Sequence, residues 1–282
     1  MSSSTLLQPT DRTLSVNGLT LHYHDWGSPQ RPPLLLLHGL SGNAWAFAPF
    51  ARRLRERLHI LALDVRGHGD SAWSTDGAYQ FADQAADVAA FADQLGLERF
   101  SLLGTSMGGM IALQYAGEHA DRLERLVIND IGPEIEAGSN RITQQTGERP
   151  SSFATDQEAI DFGIRTRPNL AVLTPDERRE VLRGGIRQSD DGRWTWKVDP
   201  EYARQRGKSG AKARPAWSTL SRVTCPTLVL WGTQSDVLSE QQARRMVEAL
   251  PRGELVSVPG VGHAPVLLEP AAFAALERFL LN

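Results

Sequence analysis

Residues 100–113 read Phe-Ser-Leu-Leu-Gly-Thr-Ser-Met-Gly-Gly-Met-Ile-Ala-Leu. The first four form a short apolar burst, the pattern of a strand buried on both faces of a parallel sheet. The residues from Met107 to Ala116 predict a helix. Between the two lies Gly104-Thr105-Ser106-Met107-Gly108, a G-x-S-x-G motif. A tight strand-to-helix turn projects a serine hydroxyl beyond the sheet edge. Glycines two positions either side leave room for the constrained backbone and for close strand–helix packing. Ser106 is therefore the candidate nucleophile.

Outward from this motif the same alternation recurs. Pro33–Leu37, Ile60–Leu63, Leu126–Ile128, Thr227–Leu230 and Leu255–Val258 repeat the buried-strand pattern. Leu14–Val16 and Leu19–Tyr23 flank Asn17-Gly18, a strong hairpin signal. Phe81, Ala85, Val88, Ala92 and Leu95 recur at steps of four and three, one face of an amphipathic helix. Ala44–Leu54, Ser239–Leu250 and Ala271–Leu280 predict further helices, and Ser239 with Gln242 forms a capping box. A β-meander followed by β-α alternation implies an open, mostly parallel α/β sheet with helices on both faces.

Residues 133–216 interrupt the alternation. Thr155/Glu158 and Thr174/Glu177 are capping boxes, the second with Pro175 at the first helical position. Asp191-Gly192 turns a short hairpin carrying Trp194 and Trp196. The expected division is a core of 1–132, a mainly helical cap of 133–216 inserted into it, and a core completed by 217–282.

The chain has 282 residues, 41% hydrophobic and 22% charged, with Lys+Arg 30 against Asp+Glu 33. That composition excludes wholesale disorder, and a net charge of −3 argues against bulk electrostatic binding to nucleic acid or anionic membrane. The single cysteine, Cys225, rules out an intramolecular disulfide and a CxxC site, and reads as a core residue. Met1–Thr10 lacks the features of a secretory signal, and no apolar run approaches bilayer length, so the expected compartment is cytoplasmic.

Four weaker patterns read as structural. The Lys/Arg-rich stretch Arg193–Arg214, with Trp194, Trp196 and Tyr202, is a solvated end of the insert. Gly207-Lys208-Ser209 is no P-loop, because Tyr202 stands where the first glycine is required. Pro265 ends the dinucleotide fingerprint begun by Gly260 and Gly262. His22 and His24 share one strand face with no third metal ligand apparent.

A serine hydroxyl needs an adjacent base, and the base needs an orienting carboxylate. His263, in Val261-Gly262-His263-Ala264-Pro265 between the last strand and the C-terminal helix, is the candidate base. Two aspartates compete as its partner. Asp236 follows the strand Thr227–Leu230 in a loop that precedes the histidine loop, and is the favoured choice. Asp130 follows the strand ending at Ile128, where it would instead order the start of the insert.

With these residues in place the chain resembles the α/β-hydrolase superfamily along nearly its whole length. His38-Gly39-Leu40 resembles the oxyanion-loop motif, and Asp64-Val65-Arg66-Gly67-His68-Gly69-Asp70-Ser71 the D-x-R-G-x-G-x-S turn. Ser106, Asp236 and His263 stand in the superfamily's order of Ser, acid, His. The resemblance implies an oxyanion hole from the N–H groups of Leu40 and Met107, with His38 and Asp64 as loop supports. It implies hydrolysis of a small acyl substrate, an ester, lactone or thioester, through an acyl-enzyme, with no metal or organic cofactor. Carbon–carbon bond hydrolases of ring-fission products and cofactor-free haloperoxidases or perhydrolases resemble it too. Epoxide hydrolases and dehalogenases put Asp where Ser106 stands. Trp45, Phe47, Met107, Trp194, Trp196 and Trp217 are candidates to line the acyl pocket.

Overall fold

The structure is a computed structural model, in which residues 6–134, 149–202, 204 and 217–282 are described. Gly207-Lys208-Ser209 and much of the basic stretch 193–214 lie outside those residues.

The first hairpin pairs β1 (Thr10–Val16) with β2 (Leu19–Asp25). Its turn residues Asn17 and Gly18 both have positive φ, 49° and 79°, which matches the twist of the flanking strands. Next come β3 (Pro33–Leu37), β4 (His59–Leu63), β5 (Phe100–Thr105) and β6 (Leu123–Asn129). The insert holds β7 (Ser152–Phe153), β8 (Ile186–Gln188) and β9 (Trp194–Trp196); β10 (Thr227–Gly232) and β11 (Gly253–Val258) follow. The main sheet has eight strands in the order β1-β2-β4-β3-β5-β6-β10-β11. Every pairing from β4 to β11 is parallel, so these strands direct their carboxyl ends to one edge.

The leucines of β3 show how the sheet is held. Leu34 to Leu37 are all fully buried, yet they alternate between two cores. Leu35 and Leu37 join the helices α2 (Phe81–Gln94) and α3 (Met107–His119); Leu34 and Leu36 join α1 (Ala48–Leu54) and the C-terminal helix Pro270–Leu281. Two-residue periodicity explains the division, and each such burial stabilises by about 2 kcal/mol. The helix expected over Ala44–Leu54 is divided at its start. Asn43 caps a 3₁₀ turn, Ala44–Phe47, by accepting from the Trp45 N–H at 2.9 Å, and Pro49 then opens α1.

Within the insert lie α4 (Asp156–Thr166), a 3₁₀ segment Pro168–Val172, α5 (Pro175–Gly184) and the small antiparallel sheet β7-β9-β8. Ile160, Leu170, Leu173, Val181 and Leu182 give this segment its own apolar cluster. It is stitched to the sheet domain at several points. Arg52 forks onto Glu180 at 2.7 and 2.5 Å. Gly69 N–H donates to Lys197 O and Asp199 N–H to Gly67 O, both at 2.8 Å. Tyr202 O–H donates to Met107 Sδ at 2.8 Å. The returning chain, α6 (Trp217–Leu220), packs on α3, where a Cβ on Gly117 would lie 2.5 Å from Thr219 Cγ2. Among the described residues no helix is long and apolar enough to cross a membrane.

Candidate active site

Ser106 sits on the turn between β5 and α3 with φ 52° and ψ −113°, a conformation that L-residues adopt only under constraint. The surroundings impose it. A Cβ on Gly104 would stand 2.2 Å from Gly108 O, and one on Gly108 would stand 2.1 Å from Leu37 O. Only hydrogen fits at either place, so the strand, turn and helix close tightly beneath the serine. The Ser106 N–H donates to Asn129 O at 2.9 Å, tying the turn to β6.

His263 Nε2 lies 2.7 Å from Ser106 Oγ. On its other side, Nδ1 lies 2.9 Å from Asp130 Oδ2. A carboxylate only accepts, so Nδ1 carries the proton and Nε2 is left to accept from the Ser106 hydroxyl. The expected partner was Asp236; the structure corrects this. Asp236 is exposed in the loop after β10, whereas Asp130 is fully buried at the end of β6. The reason is the parallel register of β6 and β10, which pairs Ile128 with Val229 and Asn129 with Leu230. The ladder runs on through Asp130 N–H to Leu230 O at 2.9 Å, and a φ of 58° then turns the side chain across the end of β10. There Asp130 Oδ1 accepts the Gly232 N–H at 2.9 Å, leaving Oδ2 for the imidazole. Asn129 steadies the histidine loop, donating to Pro265 O at 2.9 Å and to Thr105 Oγ1 at 3.1 Å.

The loop after β3 reaches over the serine. A Cβ on Gly39 would touch Ser106 Cβ at 3.4 Å, and Gly42 N–H donates to Gly39 O at 2.9 Å. Leu40, next in that loop, lines the cavity above Ser106. Met107 opens α3, where the first N–H groups of a helix have no intrahelical acceptor. His38 Nδ1 pairs with Gly39 O at 2.9 Å and Nε2 accepts the Val65 N–H at 3.2 Å. Burial pushes its pKa down, so it stays neutral. Asp64 accepts from Ala44 N–H at 2.6 Å, Asp70 N–H at 2.9 Å and His22 Nδ1 at 2.8 Å. Burial opposes its charge, but His22 and these donors prevail and lower its pKa.

A cavity of about 450 Å³ opens over Ser106 and His263, roofed by the insert. Of the aromatic residues expected in it, Phe47 and Trp196 line it. The rest are employed elsewhere. Trp45 packs against His24, ring centroids 4.4 Å apart, and beside Gly184. Trp194 carries Arg183 over its ring at 4.1 Å, and Trp217 donates to Glu134 at 2.5 Å. Met107 is buried beneath the turn. Among the lining residues that escaped the sequence reading are two cations, Arg149 and Arg167. In sequence both look like ordinary solvated charges on a polar insert. Asn169, also on the rim, donates to Ala264 O at 2.8 Å and so joins the insert to the histidine loop.

The pair His22 and His24 does meet a third candidate ligand: Asp11, across the hairpin on β1. Their ligand atoms lie within 4.8 Å of one another. His22 bridges Asp11 and Asp64 at 3.0 and 2.8 Å, which raises its pKa despite its burial. His24 is driven down to about 4, by burial first.

A serine on a constrained strand-to-helix turn, an imidazole and a carboxylate gathered at the carboxyl edge of a mostly parallel sheet match the plan of an α/β hydrolase. The profile described as alpha/beta hydrolase fold matches residues 32–270, and the chain belongs to that family of hydrolases. It is 31% identical over 268 residues to 3-hydroxybutyrate-oligomer hydrolase of Cupriavidus necator, covering 91% of each chain. It is 26% identical over 253 residues to 2-(acetamidomethylene)succinate hydrolase of Mesorhizobium japonicum, covering 89% of this chain and 88% of that one. Among solved structures, an alpha/beta hydrolase from Novosphingobium aromaticivorans matches with a TM-score of 0.83 and 32% identity, over 97% of this chain and 98% of the other.

Proposed function

We propose that the protein is a serine hydrolase that cleaves a carboxylic ester of a small molecule through an acyl-enzyme on Ser106. One observation carries the reading: an unbroken hydrogen-bonded series from Ser106 Oγ to His263 at 2.7 Å and from His263 to Asp130 at 2.9 Å. His263 Nε2 takes the hydroxyl proton as Oγ bonds to the substrate carbonyl carbon. The carbonyl electrons move onto oxygen, and the N–H groups of Leu40 and Met107 donate hydrogen bonds to that oxyanion; one such donor contributes about 10²–10³ in rate. The oxyanion collapses, the C–O bond to the alcohol breaks, and His263 returns its proton to that alcohol. Water, deprotonated by the same imidazole, then attacks the acyl carbon and releases the acid and Ser106. Asp130 holds the ring orientation and offsets its transient positive charge throughout. The insert acts as a cap that bounds the acyl pocket. The C. necator relative, named for 3-hydroxybutyrate oligomers, supports an ester as the scissile bond.

The test uses a p-nitrophenyl butyrate assay with a fluorophosphonate probe. Wild-type protein should release p-nitrophenol and acquire one probe mass on the peptide carrying Ser106. Ser106→Ala should lose both, with kcat falling by about 10⁶. Undiminished turnover in that variant would refute the reading.

A further inference from the structure

Two inward-drawn guanidinium groups of this protein are each held by a carboxylate. Arg66 is held by both oxygens of Asp87 at 2.6 Å each, and Arg52 by both oxygens of Glu180. Arg149 and Arg167 break that pattern. Neither has a carboxylate or other side-chain hydrogen-bond partner among the described residues, and Nη2 of Arg149 is buried with no acceptor. Both line the cavity that contains Ser106 and His263, and the described lining includes no Asp or Glu. Two like charges facing one cavity repel, and an anion that joins them relieves the repulsion. Burial and then the charge of Arg167 push the Arg149 pKa down to about 9, and burial lowers that of Arg167.

The surroundings place both residues at the cavity. Arg149 lies over the Trp196 ring, with Cζ 3.5 Å from the ring centroid. Stacking of that kind engages the face of a guanidinium and leaves its in-plane N–H groups to point at an acceptor. Arg167 stands where α4 ends, its N–H bonded to Gly163 O at 3.0 Å and Pro168 following at once. Its backbone is therefore held between a helix and a 3₁₀ turn.

We propose that Arg149 and Arg167 form a carboxylate-binding subsite, so that the preferred substrate is a short ester bearing a second, free carboxylate. The substrate's anion is the missing counter-ion, and it positions the scissile carbonyl over Ser106. The inference rests on the ester-hydrolase reading for turnover; binding of the anion stands independently of it.

Two measurements separate those claims. The first compares kcat/KM for monoethyl glutarate with diethyl glutarate, and for 3-acetoxybutyrate with its methyl ester. In at least one pair wild-type enzyme should favour the anionic member by about 30-fold or more, as charge-assisted pairing predicts. That ratio should fall to about threefold or less in Arg149→Gln/Arg167→Gln and recover in part in Arg167→Lys. The second titrates glutarate into Ser106→Ala protein by calorimetry, with inorganic phosphate as comparator. Glutarate should bind, and the double arginine substitution should weaken it by at least tenfold. Ratios near one in wild-type enzyme, no arginine-dependent glutarate binding, or tighter binding of phosphate would each overturn the carboxylate subsite while leaving ester hydrolysis standing. Arginine-dependent glutarate binding by a protein that cleaves none of the esters would leave the subsite standing and remove the hydrolase reading.

Discussion

Asp130 and Asp236 are the same side chain leaving the same sheet edge from neighbouring parallel strands, and nothing else about them is alike. Asp130 is the first residue beyond β6, fully buried, with one oxygen on a backbone N–H and the other on His263. Asp236 is the fourth beyond β10, reached through Thr233, Gln234 and Ser235, and is exposed. The difference teaches that a carboxylate's role follows from how soon the chain leaves the sheet. A residue at the last ladder position is fixed by the strand itself. One several residues out along a polar turn is not placed by the strand ladder.

The comparison can be broken most decisively at Asp130. Asp130→Asn should keep the fold, since an amide oxygen can still accept from Gly232, but it should favour the wrong imidazole tautomer. The expected loss is about 10⁴ in kcat on a p-nitrophenyl ester, with KM little changed. A loss below tenfold would return the role to another acid. Asn129→Ala asks whether the neighbouring residue contributes by holding the histidine loop through Pro265 O. It should cost about tenfold in kcat, since small displacements of a catalytic group are expensive. Steady-state kinetics separating kcat from KM distinguish that from a binding defect. Asp236→Asn should be the mildest change. Exposed substitutions usually stay within about 0.5 kcal/mol, so both activity and melting temperature should match wild type closely. A collapse of kcat here would restore the sequence-based choice.

The nucleophile turn was legible because it is local. Gly104, Ser106 and Gly108 are spaced by the needs of one tight turn, and the clashes any Cβ would meet there are with residues of that turn and the adjacent strand. The alternation of strands was legible for a similar reason: a run such as Leu34–Leu37 can be buried only between two layers. The acid was misjudged because two loops satisfy the same chain order, and only the register of β6 against β10 decides which of them lies under His263. A signal was present in the sequence. Asp130 follows an apolar run with one Asn between, whereas Asp236 sits among Thr, Gln and Ser. Arg149 and Arg167 were illegible, because their exposure to the cavity comes from how the insert docks through Glu180, Lys197 and Tyr202, not from any pattern near them. The aromatic residues failed in the opposite sense. Size and apolarity suit a pocket, but Trp45 and Trp217 suit packing against His24 and Arg245 just as well.

The place of Asp130 has a practical corollary for anyone grafting a foreign lid onto this scaffold. The outgoing leg departs within two residues of Asp130, at Gly132, where a Cβ would lie 2.0 Å from Gln242 Oε1 and that side chain would have to shift. The homecoming leg lands beside Gly117, eleven residues along α3 from Ser106 and so about 16 Å down that helix. A chimera spliced upstream of Pro133 therefore disturbs the Asp130–His263 pairing directly, while its distal junction lies a helix length away from Ser106.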